Sequence, residues 1–176
     1  MYNELISPTV LKDGTVTRNA MGLTIWESNG RKVLSHGGRL YGFLSEGQYF
    51  PGEDLTFITL INSAGPVTPE EINDYAVNAV FGNRTPAPRA FEGDITQYCG
   101  VYEGFGKGTK TIVKVAKAAS SLTIQFGSGR IRTIEFEKNN IWREGRDLYY
   151  FMVSDRIVTG LRVDRVYDYY ILTKSR

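Results

Sequence analysis

From residue 91 onward the chain is almost nothing but short strand-like runs divided by turn residues. No other feature restricts the fold as strongly. Eight runs can be counted, at 98–103, 110–117, 120–126, 129–136, 140–143, 147–153, 156–163 and 167–173. Between them stand Gly127-Ser128-Gly129, Lys138-Asn139-Asn140, Glu144-Gly145 and Ser154-Asp155, residues that turn the backbone. Leu122, Ile124 and Phe126 alternate with Thr123 and Gln125, the pattern of a strand buried on one face. Eight such strands at regular spacing predict a small up-and-down barrel. Arg130, Arg132, Ile134 and Phe136 do not keep one clean face with Ile131, which predicts a bulge near Thr133. Cys99, between Tyr98 and Gly100, reads as a buried structural thiol in the first strand.

Residues 1–82 have a different texture. Four strand-like runs, Met21–Glu27, Lys32–His36, Phe43–Phe50 and Leu55–Ile61, precede one helix. Asn29-Gly30 is a strong hairpin signal. Thr68 is placed to cap a helix, Pro69 to occupy its first position and Glu71 to close a capping box. Ile72, Tyr75, Ala76, Ala79 and Val80 recur at helical spacing and predict the buried face, and Gly82 ends the helix. The expectation is an α+β fragment, an antiparallel sheet with one C-terminal helix, over 1–82. A stiff Pro86/Pro88 connector spans 83–90, and an all-β eight-stranded barrel follows over 91–176.

Composition narrows the function classes. The charges nearly cancel, 21 Lys+Arg against 19 Asp+Glu, so no large field is present to hold nucleic acid or an anionic membrane. No apolar run approaches the length of a membrane-spanning helix. The stretch after Met1 has neither a basic nor an apolar region of the kind a signal peptide needs. One cysteine excludes an internal disulfide, and with one histidine, His36, it excludes a His/Cys zinc site. No cofactor or metal is expected.

Nucleophile motifs are absent. There is no Ser-x-x-Lys and no Tyr-x-Asn. Ser35 and His36 are adjacent, but consecutive strand residues point to opposite faces, so His36 cannot activate Ser35. Gly42–Gly47 lacks the glycine of a nucleophile elbow at position 43. Gly104-Phe105-Gly106-Lys107-Gly108 joins two strands and reads as a hairpin rather than a phosphate loop. What remains is His36 before a Gly37-Gly38 turn, a feature that on composition alone is more often structural than functional.

The order of features around it adds weight. Met21–Trp26, a hairpin, His36-Gly37-Gly38, Tyr41–Ser45, Phe50-Pro51, an apolar strand ending in Asn62 and then a helix resemble the C-terminal part of the serine β-lactamase and penicillin-binding-protein-like hydrolases. That family includes D-Ala-D-Ala carboxypeptidases, D-aminopeptidases and esterases, and some branches carry His-x-Gly in place of Lys-Thr-Gly. The resemblance covers residues 2–82. Tyr98-Cys99-Gly100-Val101-Tyr102-Glu103 is similar to the opening of the lipocalin-like barrel appended to some of these enzymes.

The resemblance implies that His36 takes the lysine position of the third active-site motif and Gly38 its glycine. The backbone N–H of Arg39 would be an oxyanion donor. Gly37 stands where the family has threonine, so the hydroxyl that binds a substrate carboxylate is missing, an expectation against β-lactam and D-Ala-D-Ala specificity. The first two motifs lie upstream in the family. The chain is therefore expected to be a C-terminal fragment, incomplete as a catalyst, whose partner is the missing N-terminal part of a parent that is commonly extracytoplasmic. As a fragment it is expected to self-associate through Leu55–Ile61. The other reading open at this point is a barrel that binds a small ligand or another protein, set against a lumen simply filled with side chains.

Overall fold

The structure is a computed structural model that describes residues 2–12, 14–82, 89–106, 108–166 and 169–175. Contacts divide the chain into two compact units, Met1–Pro86 and Ala87–Arg176. Most of the expected connector, residues 83–88, lies outside the described residues. Among the described residues no helix is long and apolar enough to cross a membrane.

The first unit is a four-stranded antiparallel sheet with one helix laid on it, as the sequence predicts. A short helix α1 (Tyr2–Leu5) precedes β1 (Thr24–Ser28), β2 (Arg31–Leu40), β3 (Phe43–Phe50) and β4 (Leu55–Ile61), which lie side by side in chain order. Helix α2 (Pro69–Phe81) packs on β3 and β4. The Asn29-Gly30 turn has φ of 52° and 73° at its two residues, the paired positive values of the hairpin turn that matches strand twist. Tyr41-Gly42 repeats this geometry at 43° and 87°.

That second turn corrects one expectation. Gly37-Gly38 is not a turn, and β2 does not stop at His36. The β2–β3 register is unbroken from Leu34↔Tyr49 to Leu40↔Phe43, so the glycines are held extended by a continuous ladder that outweighs their low strand propensity.

The capping box forms as read. The Thr68 N–H donates to Glu71 Oε2 at 2.7 Å, and the Glu71 N–H donates to Thr68 Oγ1 at 3.3 Å. The predicted buried face of α2 is wrong. The stripe that meets the sheet is Pro69, Asn73 and Val77, with Phe81 packed at its end, while Ile72, Tyr75 and Val80 are exposed. Beneath the helix β3 buries a polar seam, Glu46 and Gln48, which pair with each other, Gln48 Nε2 donating to Glu46 Oε1 at 3.3 Å. Asn73 bonds the sheet beside it, donating to the Glu46 carbonyl at 3.2 Å and accepting from Thr59 Oγ1 at 2.6 Å. The apolar core beside this seam is small, Trp26, Val33, Phe50 and Val77, with Phe57 and Phe81 against it.

The second unit is a closed, antiparallel, eight-stranded barrel. Its strands are β5 (Gly100–Gly106), β6 (Thr109–Ala118), β7 (Ser121–Phe126), β8 (Arg132–Lys138), β9 (Ile141–Glu144), β10 (Asp147–Ser154), β11 (Ile157–Asp164) and β12 (Tyr169–Lys174). Each pairs with its chain neighbours, and β12 closes on β5. The lumen is filled. Tyr102, Leu122, Ile124, Ile134, Trp142, Tyr149 and Leu161 are all fully buried in one cluster.

Two local expectations change here. The bulge is not at Thr133, where Leu122↔Ile134, Thr123↔Thr133 and Ile124↔Arg132 pair regularly; it falls between Phe136 and Lys138. Arg130 and Ile131 precede the strand, which begins at Arg132, so they impose no face on it. Cys99 is only partly buried and lies outside the strand, at the end of a 3₁₀ turn (Ile95–Tyr98), where its N–H donates to the Thr96 carbonyl.

Candidate functional site

The predicted site residues lie on β2, and the alternation of a strand sorts them at once. Val33 and Ser35 point to the helix side and are buried. Ser35 Oγ accepts from Trp26 Nε1 at 3.0 Å, a bond that ties it into the core, and His36 emerges exposed on the other face. The adjacent serine and histidine are thus kept apart, as their sequence positions require.

Arg39 falls on the helix side with Ser35. Its guanidinium reaches Glu70 in the first turn of α2 at 3.2 Å, with 61% of the side chain exposed. The side chains of His36 and Arg39 therefore do not converge, and any joint role for these two residues runs through the Arg39 backbone.

The open face brings together a set of small residues. Gly38 pairs with Ser45 and His36 with Gly47 across the β2–β3 ladder. A Cβ built on Gly38 would meet Ser45 Oγ at 2.7 Å, so the strands present an almost bare backbone floor here. A pocket of about 480 Å³ opens from this floor, lined by Gly38, Arg39, Leu40, Phe43, Ser45 and Leu60 among others. His36 lies outside its lining. In the sequence Ser45 and Gly47 stand out only within Gly42–Gly47, a run that fails as a nucleophile elbow, and not as partners of His36 and Gly38. Their signal is register: small residues that fall opposite His36 and Gly38 once Tyr41-Gly42 is taken as the turn.

The ends of the ladders matter as much as the side chains. Pairing of β1 with β2 stops at Thr24↔Ser35, whereas β2 runs on to Leu40. Among the described residues no strand pairs with His36–Leu40 on the β1 side. This stretch is consequently an edge whose outward N–H and C=O groups are available to an extended chain. With two glycines in it, such a chain could approach closely.

No family model matches the chain. A D-aminopeptidase from Brucella anthropi is 31% identical over 65 residues, which is 37% of this chain and 12% of that protein. The chain thus corresponds to a small part of that relative, and the match supports a hydrolase-like relationship at most. Among solved structures, the crystal structure of SurE with D-Leu aligns at TM-score 0.50 and 14% identity, covering 89% of this chain and 38% of that one. A second SurE crystal structure gives TM-score 0.49 and 15% identity over 89% and 37%. At such identities the first likeness is one of fold alone, and these neighbours are SurE rather than lipocalins.

Proposed function

We propose that this chain is the C-terminal part of a serine hydrolase of the β-lactamase and penicillin-binding-protein-like kind, with residues 1–82 forming one wall of a reaction cleft and residues 91–176 an accessory lipocalin-like barrel. The observation that carries the reading is the open β2 edge from His36 to Leu40. A substrate laid along it as an added strand would meet the glycine pair, the His36 imidazole and the Arg39 backbone. An N–H fixed in a strand is already oriented when charge develops on a carbonyl oxygen, so it stabilises that charge without reorganising. The D-aminopeptidase match makes a D-aminoacyl amide the first substrate class to try.

The nucleophile is not part of this proposal, because the chain has no Ser-x-x-Lys and Ser35 is committed to Trp26. The expected result is no release of nitroaniline from D-alanine p-nitroanilide above buffer. Amide-resolved NMR titration with the same compound should nonetheless shift Gly37, Gly38 and Arg39. Release that vanishes in Ser35→Ala or Ser45→Ala would overturn the reading, and so would titration shifts confined to the barrel.

A ligand-storing barrel is the weaker alternative. Trp142, Tyr102 and Tyr149 occupy the lumen with no measurable exposure, which leaves the barrel packed rather than hollow.

A further inference from the structure

Residues 89–94 lead into the 3₁₀ turn Ile95–Tyr98 without regular structure of their own. All of them are exposed except Phe91, which is partly buried. Among the described residues, no hydrogen bond reaches residues 89–93. The segment is held to the barrel by one ring. Phe91 lies 5.1 Å from Phe136, 5.4 Å from Tyr98 and 5.7 Å from Trp142. Gly93 lets the chain fold back over that ring. Its φ of 145° suits glycine, and a Cβ there would meet Phe91 Cε1 at 3.2 Å.

The socket under Phe91 is not purely apolar. Its walls are Tyr98, Phe136 and Trp142. The Tyr98 hydroxyl is engaged, donating to Asn140 Oδ1 at 2.8 Å. Trp142 is fully buried, and among the described residues its Nε1–H has no acceptor. Trp26 differs: its Nε1 donates to Ser35 Oγ at 3.0 Å. A buried indole N–H normally finds such a partner. A phenyl ring has no lone pair to offer, so Phe91 fills the space beside Trp142 and leaves that donor unmet.

We propose that Phe91 is an exchangeable plug, and that the socket it fills is a binding site for a neutral planar aromatic group carrying a hydrogen-bond acceptor. Such a group keeps the ring contacts that Phe91 makes and adds the bond to Trp142 Nε1 that Phe91 cannot make. The exchange asks little of the fold. Only ring contacts are given up with Phe91, no backbone hydrogen bond breaks, and Gly93 supplies the pivot. A charged ring is disfavoured, because Tyr98, Phe136 and Trp142 hold no opposite charge to balance it. The lumen beyond stays packed by Tyr102, Leu122 and Tyr149, so the socket takes a single ring rather than a long chain.

Acetophenone, a phenyl ring with a carbonyl, is the probe for the whole chain, with toluene and benzoate beside it. The Trp142 Nε1–H resonance is identified by its loss in Trp142→Phe. In the wild type it should move downfield saturably with acetophenone, and the amides of Phe91 and Glu92 should move with the same midpoint. Toluene should bind about tenfold more weakly, with no downfield shift, and benzoate should not bind. Phe91→Ala removes the competing plug and should bind acetophenone about thirtyfold more tightly than the wild type. Trp142→Phe keeps a ring without the donor and should bind acetophenone and toluene alike. The wild-type titration needs no variant to fold. The proposal would be overturned by the absence of a saturable wild-type shift, by equal affinity of the wild type and Phe91→Ala, or by toluene binding as tightly as acetophenone. A Trp142 N–H that exchanges with a bound water and stays in place as acetophenone is added would overturn it as well.

Discussion

A Cβ on Gly38 would stand 2.7 Å from Ser45 Oγ, directly across the β2–β3 ladder. The obstacle is the tip of a short side chain, so it is a matter of one rotamer rather than of backbone. Gly38→Ala should therefore lower unfolding stability by about 1 kcal/mol, the cost of mild overpacking. Ser45→Ala alone should change little. The double variant should recover at least wild-type stability, since alanine also restricts the unfolded chain. Urea unfolding of the four proteins measures the coupling. Strict additivity of the two changes would mean that the close approach costs nothing and that the bare floor at this point is not set by packing.

The helix gives a sharper contrast. Val77 is buried against Val33, Phe50 and Trp26, whereas Tyr75 is 77% exposed. Val77→Ala should cost about 2 kcal/mol through lost burial and the cavity left behind. Tyr75→Ala should fall within about 0.5 kcal/mol of wild type. Asn73→Ala should cost about 1 kcal/mol or more, because it removes two buried hydrogen bonds, one donated to the Glu46 carbonyl and one accepted from the Thr59 hydroxyl. The reverse ranking, with Tyr75 costly and Val77 tolerant, would restore the face that hydrophobic periodicity favours.

That contrast also shows where sequence reading succeeds here and where it stops. Signals carried by adjacent residues were legible: the Thr68/Glu71 box, the Asn29-Gly30 turn, the strand runs of the barrel and the opposed faces of Ser35 and His36. Each is set by local backbone geometry. Signals that depend on what a residue meets across the fold were not. Ile72 and Tyr75 look like core until Asn73 is seen to bond the Glu46 carbonyl and the Thr59 hydroxyl, which puts the Pro69, Asn73 and Val77 stripe against the sheet instead. Gly37-Gly38 looks like a turn until the β2–β3 register shows ladder partners for both. At the candidate site the consequence is specific. His36 could be picked out as the lone histidine, but Ser45, Gly47 and the unpaired edge emerge only from register.

Alkaline pH should act on the barrel through its interior tyrosines. Burial pushes the Tyr98, Tyr102 and Tyr149 hydroxyls upward from their ordinary value of 10.0. Each is also engaged, Tyr98 donating to Asn140 Oδ1, Tyr102 to the Tyr98 carbonyl and Tyr149 to Glu144 Oε2. The folded state thus holds these protons more tightly than the unfolded state. Their contribution is fully present below about pH 10 and is lost as pH rises toward the folded values. Tyrosinate absorbance should titrate in two stages, exposed groups first and the buried three only together with loss of barrel structure. Tyr149→Phe should make unfolding less sensitive to pH above about 10. One smooth titration near the ordinary tyrosine value with the fold intact would contradict this.

The barrel should also stand without the sheet unit. It closes on itself through β12 and β5, so it leaves no strand edge to be covered, and its core draws only on residues from Phe91 onward. Phe91 is part of that core: its ring lies 5.1 Å from Phe136, 5.4 Å from Tyr98 and 5.7 Å from Trp142. The cut therefore has to fall before it, and exposed Arg89 is a suitable tryptic site. A fragment beginning at Ala90 should melt cooperatively with the near-ultraviolet spectrum of a packed aromatic interior. One beginning at Glu92 should be about 2 kcal/mol less stable, having lost a partly buried aromatic ring. Gly104→Ala in either fragment should destabilise it by about 1–3 kcal/mol, because a Cβ there would meet the Ile171 carbonyl oxygen at 2.6 Å, and that obstacle is backbone. Trypsin cutting first at exposed Lys114 inside β6, with the bond after Arg89 intact, would show that the closed barrel is not the more resistant unit.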